Sequence, residues 1–144
     1  MAAKTLSFDT GLVEYDINGV SVRFNPTDEG FVDKLEKMVE SIGSLQGRLS
    51  EGSGFAVFAK LDAETREKVD ALLGDGTSDA LFPGMNCWAL SDGLPVWLNL
   101  AIALMDEVTE AYEREFGKTD PRVKAHKAKY AKMMAKYRKP KGKK

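Results

Sequence analysis

The sequence offers few groups able to do chemistry. It has one histidine, His126, and one cysteine, Cys87. A metal centre needs three or four His, Cys or carboxylate ligands at close spacing, and no such set surrounds either residue. His126 lies in a Lys-rich stretch and is expected to be solvated. Cys87 is flanked by Trp88, Ala89 and Leu90 and is expected to be a buried packing residue that forms no internal disulfide. The Gly74-Asp75-Gly76 triplet lacks the Gly-Lys-Ser/Thr ending of a phosphate-binding loop and reads as a turn. Asp106 and Glu110, four apart on one helix face, are a carboxylate pair, but this spacing equally describes an acidic solvated face. The residues give no ground for a cofactor, and the chain is expected to be non-catalytic.

Charge is the one feature that independently suggests a partner. From Lys118 to Lys144 there are 12 Lys or Arg and one acid, a net +11, whereas the preceding residues hold 9 bases and 21 acids, a net −12. The formal total of −1 therefore conceals an acidic body and a basic tail. Tyr130 and Tyr137 interleave with Lys and Arg in that tail, a composition able to meet nucleic acid or an acidic protein surface. Repulsion by the acidic body disfavours nucleic acid. No apolar run is long enough to cross a membrane, and the first residues lack a hydrophobic signal segment. The expected location is the cytoplasm.

The elements that would position these groups are legible by period. Leu94, Trp97, Leu98, Ala101, Leu104, Met105, Val108, Ala111, Tyr112 and Phe116 follow the three-and-four spacing of one helix of about six turns, for which Asp92 is the expected N-cap and Pro95 a first-turn residue. Trp88 and Trp97 are expected core anchors. The run from Cys87 to Leu90 fits either a strand or a helical turn, after a Pro-Gly turn that follows Leu81 and Phe82.

Near the start, Val13, Tyr15 and Ile17 alternate with polar residues, as do Val20, Val22 and Phe24, and Asn18-Gly19 lies between them. This predicts a two-residue type I′ hairpin. Thr5 to Asp9 is a candidate third strand. Thr27 or Asp28 caps a following helix whose Phe31, Leu35, Met38, Ile42, Leu45 and Leu49 form a heptad-like seam, suited to packing inside the domain or against another subunit's helix. Gly43 and Gly47 weaken its end, and Gly52 to Gly54 terminate it. Phe55 to Leu73 predicts another helix, reinitiated near Asp62. Gly117 is a C-cap candidate, and Asp120-Pro121 starts a basic helix. The expected fold is α+β: a hairpin or small antiparallel sheet on a helical bundle over residues 1–117, then a basic, helical or partly disordered tail over 118–144, with Lys139 to Lys144 disordered.

Three blocks, FDTGLVEYDINGVSVRFNPTDEGFVDKLEKM, ALFPGMNCWALSDGLPVWLNLAIALMDEV and TDPRVKAHKAKY, resemble in order and spacing a family of tail assembly chaperones from phages and prophages of Gram-positive bacteria. The resemblance runs from about Phe8 to Tyr130, and FNPTD and DGLPVWLNL are its most specific pieces. It implies a small helical protein of the host cytoplasm, absent from the mature virion. Such a protein binds the tape measure protein, keeps its long helices soluble and helps recruit tail tube protein. On that footing the client surface is expected on Phe31, Leu35, Met38 and Ile42. Lys124, Lys127, Lys129, Lys132, Lys136 and Arg138 would steer an acidic client segment. The competing expectations are a structural tail component, such as a tube or connector subunit, and a small nucleic-acid-associated protein.

Overall fold

The computed structural model describes residues 2–51 and 54–137, with only the backbone described for 49–51. It is an α+β fold in which a hairpin and five helices share one core. Strands β1 (Val13–Ile17) and β2 (Val20–Phe24) are antiparallel, with Ile17 opposite Val20 and Val13 opposite Phe24. The turn is the expected one: Asn18 has φ 52° and Gly19 φ 88°, the left-handed pair that a type I′ turn requires. Residues 2–10 form no strand, so the expected third strand is absent. The hairpin's inward side chains include Val22 and Phe24, while Glu14, Asp16, Ser21 and Arg23 remain exposed.

Helix α1 (Glu29–Ser44) is capped by Asp28, whose carboxylate accepts from the Gly30 amide at 2.9 Å. A 3-10 turn, Leu45–Glu51, extends it. Helix α2 (Phe55–Leu73) is continuous, without the expected restart at Asp62. A short helix, α3 (Thr77–Leu81), follows the glycine turn, in which Gly74 and Gly76 have φ 118° and 81°. Two two-residue strands, β3 (Leu90–Ser91) and β4 (Leu94–Pro95), then form a miniature hairpin. Its turn is Asp92-Gly93, with φ 58° and 80°. Asp92 is therefore a turn residue, not the N-cap of the next helix. That helix, α4 (Val96–Phe116), begins after Pro95 without a side-chain cap.

Helix α4 is the centre. Trp97, Leu98, Ala101 and Val108 are fully buried, and α1 and α5 pack against it. Trp97 lies 5.6 Å from Trp88 and 6.1 Å, edge to face, from Tyr137. Gly117 ends the helix at φ 93°, and Asp120 caps α5 (Pro121–Ala135) by accepting from the Arg122 amide at 2.8 Å. The basic stretch is thus helical through Ala135. It is also part of the core, with Val123, Tyr130, Met133 and Met134 buried in the same apolar cluster as α1 and α4. The expected boundary after Gly117 falls between two helices that pack together, and the expected disorder from Lys139 onward lies outside the described residues.

One polar network ties α2 to the irregular segment before α4. Arg66 Nε donates to Asp62 at 2.9 Å, Nη1 to Asp79 at 2.9 Å and to the Ser78 carbonyl, and Nη2 to the carbonyls of Phe82 and Met85. Asp62 accepts from the Cys87 amide at 2.8 Å, and Trp88 Nε1 donates to buried Thr65 at 2.9 Å. A loop that would otherwise leave these carbonyls without donors has three of them satisfied by one guanidinium, while Asp62 and Thr65 hold Cys87 and Trp88.

Candidate protein-binding groove

The α1 seam faces inward. Leu35 and Ile42 are fully buried and Met38 nearly so, while Phe31 stacks on Phe24 with ring centroids 4.2 Å apart. Phe24 in turn stacks on Tyr15 at 4.4 Å. This corrects the expectation of a client-facing stripe at Phe31, Leu35, Met38 and Ile42. In this fold those side chains join α1 to α2, α4 and, through Phe31 on Phe24, the hairpin, and the physical reason is the apolar area that this packing removes from water. The remaining member, Leu45, is also buried, and the Leu49 side chain lies outside the described residues.

The expected electrostatic residues divide. Lys129 donates to buried Glu36 at 2.6 Å, and Lys127 meets Glu113 at 2.9 Å, so these two tie α5 to the body. Bonding to Glu36 raises the Lys129 pKa, against a smaller opposing effect of burial. Lys124, Lys132 and Lys136 are exposed along α5. Arg138 lies outside the described residues. His126 is half-buried rather than solvated: its ring meets Tyr112 edge-on at 4.4 Å and stacks on Tyr130 at 5.7 Å. Cys87 is fully buried as expected, and burial, reinforced by Asp62, pushes its thiol pKa up to about 12.

A feature that the periodicity did not reveal lies between α4 and α5. A groove of about 600 Å³ has a floor of Ile102, Met105, Tyr130 and Met134. One wall, from α4, carries Asp106, Thr109, Glu110 and Glu113; the other, from α5, carries Lys127, Ala131 and Ala135. Its origin is steric. The α5 positions Ala131 and Ala135 end at Cβ, so the two helices leave a channel where larger side chains would close it. The floor holds two methionines, whose unbranched side chains adapt to more than one occupant.

Electrostatics polarise the groove. Glu113 is matched by Lys127, but Asp106 and Glu110 are exposed and have no ion-pair partner among the described residues. From Ile102 to Glu113 the α4 wall rises about 16 Å, roughly three helical turns. The arrangement suits an apolar segment that carries a cation on one edge. A smaller cleft between α1 and α2 has the opposite sign, with Lys34, Lys37 and Lys68 around Met38 and Leu72, and a volume of about 370 Å³. Among the described residues no helix is long and apolar enough to cross a membrane. Comparison with family models, curated proteins and solved structures finds no match.

Proposed function

We propose that this chain is a non-catalytic tail assembly chaperone that binds the tape measure protein and aids assembly of the tail tube. It would act in the host cytoplasm and be left out of the mature virion. The observation that carries the reading is the groove between α4 and α5: open, floored by apolar and methionine side chains, and edged by the exposed acids Asp106 and Glu110. A chaperone of extended helices needs a surface of this kind, since an amphipathic helix lays its apolar face into a groove and is fixed in register by charges along the rim. The client segment that fits is an amphipathic helix with Lys or Arg beside its apolar stripe. The sequence resemblance supplies the identity of the client, and the groove replaces the α1 seam as its place of binding.

The test is co-expression with the tape measure protein of the same genome, followed by client solubility and a pull-down at low and high salt after nuclease treatment. Rescue of the client, with capture that survives nuclease and is weakened by Asp106→Lys with Glu110→Lys, is the expected result. Failure to rescue, with binding that disappears on nuclease treatment, refutes the reading and favours nucleic acid held by the exposed lysines of α5. Recovery of the chain in purified virions would instead make it a structural tail component.

A further inference from the structure

The most exposed apolar side chains ahead of the hairpin are Leu6 and Phe8, at 82% and 84% of full exposure, followed by Leu12. They belong to an arm, residues 2–12, that forms neither helix nor strand. The arm is anchored at its base. The Gly11 amide donates to Asp9 at 2.8 Å, and Asn25 Nδ2 donates to the Thr10 carbonyl at 3.0 Å. Gly11 itself has φ 73°, and a Cβ there would stand 2.5 Å from Asn25 Nδ2, so the departure of the arm from the hairpin is built around a glycine.

Along an extended chain every second side chain points the same way. Laid out as a strand, the arm would present Lys4, Leu6 and Phe8 on one side, a cation followed by two large apolar groups, and Thr5, Ser7 and Asp9 on the other. That first side matches the α4/α5 groove, whose apolar floor is bordered by exposed Asp106 and Glu110. The lengths agree as well: Lys4 to Phe8 extends about 13 Å at strand rise, against about 16 Å of groove wall. In the single chain Leu6 and Phe8 remain in solvent, so the arm does not occupy its own groove.

We propose that two copies of this chain exchange arms, each laying Lys4, Leu6 and Phe8 into the other's α4/α5 groove. The exchange is isologous and closes as a two-fold dimer. It uses the same groove as the client but requires only this chain, so it stands or falls independently of the chaperone reading.

The experiment is sedimentation of the purified full chain, without client, over a wide concentration range. Concentration-dependent dimerisation is expected. Leu6→Ser with Phe8→Ser, both at exposed positions and therefore neutral to folding by circular dichroism, should weaken it roughly tenfold or more. Asp106→Lys with Glu110→Lys should weaken it too, and adding Lys4→Glu should restore it. A disulfide between Phe8→Cys on one copy and Ala131→Cys on the other should form under mild oxidation, with buried Cys87 silent. A chain that is monomeric throughout overturns the proposal. So does a dimer that the arm substitutions leave unchanged.

Discussion

Replacing Arg66 with alanine removes the group that holds the segment between α3 and α4. The Arg66 and Asp62 side chains are 17% and 21% exposed, so neither recovers full hydration when its partner is lost. Breaking a buried ion pair by deleting one member costs about 3–5 kcal/mol, and residual water access here favours the lower end, about 3 kcal/mol. The Asp79 bond adds little, since that side chain is 81% exposed. The carbonyls of Ser78, Phe82 and Met85 lose their donor but can turn toward water if the segment loosens. Arg66→Lys keeps the charge without the fork of donors, and should lose about half as much. Urea unfolding followed by the fluorescence of Trp88 and Trp97 measures both. At roughly 3 °C per kcal/mol for a chain of this size, the alanine variant should melt about 10 °C lower. A shift equivalent to less than about 1 kcal/mol, or a lysine variant as stable as the parent, would refute the network as the device that fixes this segment.

Burial alone would raise the pKa of Asp62, but bonds from Cys87 and Arg66 together outweigh it and hold the carboxyl below its ordinary value. Stability from this group is therefore present above the unfolded pKa of about 3.9 and lost as pH falls through the lower folded value, a dependence that Asp62→Asn should flatten in urea titrations below about pH 4. Cys87 should resist thiol reagents in the native protein and react only at the rate of global unfolding, whereas fast labelling in buffer would contradict its burial. A Cβ at Gly43 would collide with the Tyr137 hydroxyl. Gly43→Ala should accordingly destabilise despite alanine's better helix propensity, and Tyr137→Phe should relieve the clash in a double-mutant cycle with a coupling of about 1 kcal/mol. Truncation after Gly117 removes Val123, Tyr130, Met133 and Met134 from the core; at about 1.5–3 kcal/mol each this approaches a typical domain's whole stability of about 5–15 kcal/mol. The truncated chain should show no cooperative unfolding transition.

The parts of the fold that were legible in the sequence are those decided within a few residues. Asn18-Gly19 can form its turn with no help from elsewhere, and Asp28 and Asp120 cap their helices through amides two residues on. Asp92 shows how a local signal can still mislead. Aspartate before an apolar period suits an N-cap, yet Asp92-Gly93 is also a hairpin dipeptide, and the turn prevailed because Leu90 and Ser91 pair with Pro95 and Leu94. The alternating Thr5–Asp9 segment looked like a strand for lack of any local sign that it has no pairing neighbour. Arg66 was invisible because most of its acceptors are backbone carbonyls 12 to 19 residues away, which carry no sequence signature.

The basic segment and the α1 seam exchanged roles for a common reason. Composition made α5 look like a solvated tail, but a helix requires only one apolar face to dock, and Val123, Tyr130, Met133 and Met134 supply it while the lysines stay in water. Heptad spacing left α1 open to packing inside the domain or against another helix, and the burial of Leu35, Met38 and Ile42, with α2 and α4 packed against α1, shows the first. Introducing a charge at Leu35 or Ile42 would consequently unfold the protein and say nothing about a client. The informative substitutions are those at Asp106 and Glu110, exposed side chains on the wall of a groove that exists because Ala131 and Ala135 are small. Filling that groove by Ala131→Leu separates occupancy from charge: if an occupant's apolar face binds there, the variant should block it while leaving Asp106 and Glu110 in place.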